Sequence, residues 1–284
     1  MLKLRAAANN RIVVMLKEIA STYLQKNVGR SAAALSYSLT LSVFPFLIVV
    51  SAILGRLDLH ESALFTALGD VIPLAALSVI SEFLSYVSGN RTTLMLTVGI
   101  MALLTSSSAA FRNFINITGE IQGEMRFKGI WKGVVSFVFS IVFIAVIYAS
   151  GLMILSGGWL VRLLEIYIGI GDVTAAWTWI RFVILFLLLF GIIFAMYIIS
   201  APKETKTTHR LPGALVASVV FVVTSIIYSR MISMSIRYAL VYGSLASIII
   251  MMVWLYTCGI ILIMGNVFNI SLRNMRDNYP KKRS

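Results

Sequence analysis

The chain has 284 residues, of which 59% are hydrophobic and only 12% charged, with a formal net charge of +13. Soluble globular domains carry roughly 45–50% apolar and about 25% charged residues, so a mean hydropathy of +0.93 excludes a water-soluble fold of this size. The charges lie between long uncharged runs, and about 20 such residues cross the ~30 Å hydrocarbon core as a helix.

Residues 1–31 are expected to form a cytoplasmic amphipathic segment. Ile12, Leu16, Ile19, Ala20, Tyr23 and Leu24 recur at helical spacing with Arg11, Lys17, Glu18 and Lys26 on other faces, as in an interfacial helix on the inner surface. They hold no apolar stretch followed by a cleavage site, so the first span is expected to act as its own insertion signal.

A six-helix transmembrane domain over 32–269 follows, with spans at 32–54, 94–111, 133–155, 179–199, 211–229 and 244–269. In the first span Ser36 and Thr40 are i,i+4 neighbours, as are Ser38 and Ser42, with Tyr37 between them and the kinking Pro45 beyond. In the long first outer loop, Leu64, Leu68, Val71 and Ile72, then Leu77, Ile80, Leu84 and Val87, indicate two short amphipathic helices broken near Pro73. A loop of that length is expected to be a lid or to rest on the outer leaflet. The second span carries Ser106, Ser107 and Ser108, the fourth Arg181, and the sixth Trp254, Tyr256, Cys258 and Asn266. A basic tail, 270–284, closes the chain. Membrane strands would show as ~10-residue alternating segments, whereas these runs are continuous and longer, so the fold class is all-α.

Counting Lys and Arg orients the spans. With both termini cytoplasmic, the inner segments hold 18 bases and 5 acids, net +13, and the outer segments 5 bases and 6 acids, net −1. The pI near 10.1 then reflects orientation in the membrane and contact with anionic lipid headgroups at the cytoplasmic face. Nucleic acid, the usual partner of so basic a chain, is not expected, because the bases are spread over four segments next to spans.

Catalytic chemistry finds little support. His60 and His209 fall on opposite sides of the membrane, and no HExxH, GxSxG or Walker A pattern occurs. Gly119-Glu-Ile-Gln-Gly123 lacks the Lys and Ser/Thr of a phosphate loop. The single cysteine, Cys258, excludes an intrachain disulfide and a Cys-based zinc site. No acid lies well inside a span, against an acidic proton relay or a mid-membrane carboxylate metal site. No catalytic residue, metal or cofactor is expected.

Ionisable and polar residues within spans are the candidates that remain. Arg181 lies near the outer end of its span beside Trp177 and Trp179, and either snorkels to headgroups or binds an anionic ligand. The face of Ser36, Tyr37 and Thr40 avoids lipid, and Ser107 and Asn266 are expected to meet it, through interhelical hydrogen bonds or along a substrate path. The candidate path comprises Ser36, Tyr37, Thr40, Pro45, Ser107, Arg181, Trp254, Tyr256 and Asn266. The pairs Gly213 with Ala217, Ala214 with Ser218, and Gly243 with Ser247 mark close helix packing.

Three blocks carry a family resemblance: Ala32-Ala-Ala-Leu-Ser-Tyr-Ser-Leu-Thr-Leu-Ser-Val-Phe-Pro-Phe46, then Pro202 with Arg210-Leu-Pro-Gly-Ala214, then Tyr242-Gly-Ser-Leu-Ala-Ser-Ile through Trp254-Leu-Tyr256 to Gly265-Asn-Val-Phe-Asn269. In order and spacing they resemble the YihY/BrkB family of bacterial inner-membrane proteins over nearly the whole chain. The chain departs from it at Ser38, where a second aromatic is usual, and at Gly265-Asn-Val-Phe-Asn269, where the family usually reads Gly-Ala-Glu-Leu-Asn. The resemblance implies a multi-pass inner-membrane protein. Members once carried a ribonuclease BN label, now generally regarded as misassigned, while others are tied to serum resistance or suggested as transporters of lipids or compatible solutes.

Two functions are therefore expected of this chain: a transporter or exporter of a lipid or small polar solute through a polar-lined bundle, or a non-transporting scaffold organising envelope proteins or lipids. The expected orientation is directly testable. Reporter fusions after residues 30, 128 and 278 should read cytoplasmic and one at position 165 periplasmic; the reverse pattern overturns the charge argument.

Overall fold

A computed structural model describes residues 2–56, 93–155, 173–202, 207–233 and 244–278. Helices α1 (Leu2–Gln25), α2 (Val28–Arg56), α3 (Thr93–Gln122), α4 (Gly129–Leu155) and α5 (Val173–Ser200) are followed by a short 3₁₀ turn, Thr207–Arg210, then α6 (Leu211–Ser233) and α7 (Ser244–Asn278). Helices α2 to α7 are each long and apolar enough to cross a membrane. Lipid offers no partner for a bare N–H or C=O, and a helix satisfies both within itself.

Each expected span lies within one of these helices, but α2, α3, α4 and α7 run further at the basic end, whereas α5 and α6 gain residues mainly at the other. The second span was expected to stop before Arg112, yet α3 continues to Gln122. Its charges are absorbed locally: Arg112 Nη1 donates to Ser108 Oγ one turn back (3.0 Å), and Lys132 Nζ donates from α4 to Asn116 Oδ1 (2.7 Å). Helix α3 ends at Gly123, whose φ of 76° suits the left-handed residue that closes a helix. The glycine that might have belonged to a phosphate loop is thus a terminator. The expected short helices of the first outer loop, His60, Gly243 of the Gly243–Ser247 pair and tail residues 279–284 lie outside the described residues.

Helix α2 packs against α3 on one side and α7 on the other, α7 also carries α6 and α1, and α4 and α5 complete the bundle. The core runs through Val28, Ala32, Phe111, Phe114, Tyr197 and Ile263. Large apolar residues such as Val98, Trp179, Phe182 and Ile227 are exposed, as a bundle solvated by acyl chains requires.

Helix α1 joins the bundle through a polar contact. Glu18 accepts hydrogen bonds from Ser271 Oγ (2.6 Å) and Asn274 Nδ2 (2.7 Å) of α7, which places the described ends of the chain together, as six spans demand. The face turned to α7 therefore carries Glu18, with Ile19 and Tyr23 half-buried, whereas Leu16 and Leu24 of the expected apolar face stay exposed, Leu24 at 73%. The chain reverses into α2 at Asn27, in the left-handed region at φ 49°.

The tightest helix contact sets α6 against α7. A β-carbon on Gly213 would overlap the Gly265 carbonyl and the Asn269 amide, and one on Gly265 would overlap Tyr197 Oη and lie 2.7 Å from Ala217 Cβ. The expected small-residue packing at Gly213 and Ala217 thus meets a second glycine across the interface. Gly191 of α5 faces open space. Gly265→Ala is expected to cost about 1–3 kcal/mol through overpacking, while Gly191→Ala should be neutral or gain up to about 1 kcal/mol. Unfolding in detergent measures both, and equal effects would contradict the packing described.

Candidate functional site

The nine path residues do not form one chain of contacts. On α2 the hydroxyls turn back onto their own helix: Ser36 Oγ donates to Ala33 O (2.9 Å), Thr40 Oγ1 to Ser36 O (2.7 Å), and Ser42 Oγ to Leu39 O (2.6 Å). Such back-bonding quenches polarity without a neighbouring helix. Ser38 Oγ donates to Ala34 O (3.2 Å) and accepts from Asn113 Nδ2 of α3 (3.1 Å), a true interhelical bond. Ser36 and Ser107 are buried and Pro45 sits half-buried inside α2, but Tyr37, expected on the face that avoids lipid, is 59% exposed, because it lies one residue round the helix from buried Ser36.

On α7, Trp254 meets Phe221 edge-on (6.0 Å between centroids), and the Tyr256 hydroxyl pairs with that of Tyr23 of α1. Asn266 is 3% exposed, and its Nδ2 finds no hydrogen-bond partner among the described residues. Arg181 is half-buried with its guanidinium 5.5 Å from the Phe182 ring centre. It precedes Tyr197 on α5 by sixteen residues, about 24 Å along the axis, and so stands at the end of the bundle remote from Asn266. A cavity of about 510 Å³ lies at the basic end, lined by Gln25, Lys26, Asn27, Glu120 and Met125 with Gly119 and Gly123, none of them a path residue.

The densest polar construction lies where α5 ends. A helical carbonyl at Ile198 would accept from the N–H four residues on, but that residue is Pro202, which has none. Two guanidinium groups take its place: Arg126 Nη1 at 2.7 Å, from the loop after α3, and Arg210 Nη1 at 3.0 Å, from the 3₁₀ turn. Arg210 Nη2 also donates to Pro202 O (3.0 Å), and Arg210 is only 4% exposed. Cations at a helix C-terminus match the negative end of its dipole. The like charges of Arg126 and Arg273 both act on Arg210, so positive charge accumulates here.

The next link joins Arg210 to α7. Asn269 Nδ2 donates to Arg210 O (2.9 Å), and its Oδ1 accepts from Gly213 N (2.7 Å), so a side chain of α7 caps the first turn of α6. Tyr197 Oη, fully buried, donates to Leu262 O (2.7 Å) and stacks on Phe114 (6.2 Å, 15°). Among the described residues no three of His, Cys, Asp and Glu converge. The chemistry on offer is hydrogen-bond donation and positive charge, suited to holding acceptors.

Sequence reasoning counted Arg126 only among the inner bases, met Arg210 only there and in a family block, and left Tyr197 unremarked. The signal was the block Pro202 with Arg210-Leu-Pro-Gly-Ala214: a proline just past a span leaves a carbonyl open, and a nearby arginine can close it.

The two asparagines of α7 differ in their bonds, and stability should reveal it. Asn269→Leu strands the Gly213 N–H and the Arg210 carbonyl and is expected to cost about 2–4 kcal/mol. Asn266→Leu removes a buried amide with an unmet donor and should be neutral or stabilising in ligand-free protein. Denaturant unfolding in detergent gives both values, and similar losses would refute the assignment.

A sequence profile described as virulence factor BrkB matches residues 19–284. The chain is similar to the ribonuclease-like protein YfkH of Bacillus subtilis (strain 168), 27% identical over 265 residues, which cover 92% of this chain and 96% of the relative. It is similar over a shorter stretch to the UPF0761 membrane protein of Aliivibrio salmonicida, 31% identical over 86 residues, which cover 30% of this chain and 28% of that one. A UPF0761 membrane protein of Idiomarina loihiensis is 29% identical over 89 residues, or 31% of each chain. No solved structure matches. With six apolar helices long enough to span a bilayer and a profile match over nearly its whole length, the chain belongs to the virulence factor BrkB family and is a multi-pass bacterial membrane protein.

Proposed function

We propose that the chain is an inner-membrane transporter or exporter of a lipid or small polar solute, with its basic end in the cytoplasm. The observation that carries this reading is Asn266: a buried amide in a span, with a donor that no described residue accepts. Polar groups kept inside a membrane bundle without a structural partner are costly, and binding something that passes is a reason to keep one. Ser36, Thr40 and Ser107 supply further polarity on α2 and α3, and Tyr37 places an amphipathic ring on the outside of the same turn of α2, where a lipid-facing portal would open. Arg181, at the far end, snorkels or meets an anionic group there.

The ribonuclease-like name of the Bacillus relative is not carried over to this chain. A metal-dependent nuclease needs clustered carboxylates or histidines, and the loops between spans on the basic side offer Glu120, Glu124, Glu204 and His209 scattered among cations.

Vesicles of phosphatidylethanolamine and phosphatidylglycerol containing the protein test the path. They should flip headgroup-labelled phosphatidylglycerol or release trapped glycine betaine faster than empty vesicles. Joint replacement of Tyr37, Thr40 and Asn266 by alanine should lower that rate at least tenfold while the unfolding midpoint stays within a few degrees. A wild-type rate in the triple variant would remove these residues from the path, and no flux of either probe would favour the scaffold.

A further inference from the structure

Helices α3, α5 and α7 all run toward the basic end, and Phe114, Tyr197 and Leu262 mark one common level through their stacking and hydrogen bond. About one turn nearer the basic end, three or four residues on, each helix carries a polar residue at a similar depth: Thr118, Ser200 and Asn266. All three are buried, at 1%, 1% and 3% exposure, and Thr118 Oγ1, Ser200 Oγ and Asn266 Nδ2 make no hydrogen bond to a described residue. Arg126, tied to Ile198 O in the last turn of α5, adds a fourth unmet group, its buried Nε.

A buried polar group left unmatched has lost its hydration without gaining a partner. Valine, alanine and leucine would fit in place of Thr118, Ser200 and Asn266 without that cost, so their gathering at one depth calls for a ligand. Its chemistry follows from the groups. Nδ2 and Nε only donate, both hydroxyls can donate, and the charges of Arg126 and Arg273 act on Arg210 at the same end of the bundle. Such a set is complementary to several negatively charged oxygens on one small centre. A carboxylate offers two and a phosphate three or more, which matches four donors better. Arg210 has its own partners in Ile198 O and Pro202 O, and nothing here requires it to let them go.

We infer that the layer formed by Thr118, Ser200, Asn266 and Arg126 binds a phosphate group, carried by a phospholipid headgroup or by free phosphate. The inference rests on the polar bundle of the transport reading and adds the charge of the cargo, but it is tested by binding alone, so the two can fail separately.

The test uses the full chain in dodecyl maltoside without phosphate, titrated with inorganic phosphate, with dioctanoyl phosphatidylglycerol and with dioctanoylglycerol, which lacks the phosphate. The protein should bind at least one of the first two and discriminate against the third by tenfold or more. Phosphatidylglycerol binding without inorganic phosphate binding identifies a headgroup, and the reverse identifies free phosphate. Asn266→Leu and Ser200→Ala should each weaken that binding at least tenfold while leaving the ligand-free unfolding midpoint unchanged or raised, an outcome that a purely structural role would not produce. Arg126→Gln should weaken it further, whereas Lys128→Gln, at an exposed site of the same loop, should change it less than twofold. The assignment is overturned if neither phosphate probe binds, if Asn266→Leu and Ser200→Ala bind as wild type, or if Lys128→Gln costs as much as they do. Binding that obeys this pattern in a protein without flux would retain the site and remove the transport reading.

Discussion

The Ile198 carbonyl is deprived of its helical donor by Pro202, and much of the basic end of the bundle is arranged around supplying another. Arg126 and Arg210 converge on it from different loops, Arg210 reaches on to Pro202 O, and Asn269 takes up the Arg210 carbonyl. One missing N–H thus draws the loop after α3, the end of α5, the start of α6 and the inner half of α7 into a single hydrogen-bonded unit. In hydrocarbon the alternative is an unmet carbonyl with no water to relieve it, which is why so many groups are committed there.

Glycine makes that unit possible. Asn269 can reach Gly213 N only because α6 and α7 approach without side chains at Gly213 and Gly265, and the same approach brings Tyr197 Oη to the Leu262 carbonyl. Van der Waals contact and interhelical hydrogen bonding reinforce each other here, as expected where acyl chains remove any hydrophobic drive for helices to associate.

Polarity within the spans falls into two kinds. The hydroxyls of Ser36, Thr40, Ser42 and Ser106 are satisfied by carbonyls one turn back, so they ask nothing of the bundle. Asn266, Thr118 and Ser200 are buried as deeply or more so, yet hold unmet groups. In a one-dimensional pattern the two kinds look alike, since both are small polar residues in an apolar run. Burial and partner choice separate them.

Hydropathy was sufficient for the number of spans and their approximate positions, because the lipid constraint acts on each segment independently of its neighbours, while the charge count gives the expected orientation. Segment ends were less legible: Arg112 reads as a boundary, but a serine one turn away holds its charge and α3 continues. The apolar stripe of α1 was visible too, but that α1 would dock by Glu18 on the end of α7 was not, because the partners lie at the opposite end of the chain. Of the candidate site, Asn266 was found from sequence as a polar residue in a span, whereas Thr118, Ser200, Arg126 and Arg210 all fell in the segments expected to connect spans. Hydropathy depends on one segment at a time, but a shared carbonyl or a common layer of unmet donors depends on how α3, α5, α6 and α7 pack, and only the tertiary structure decides that.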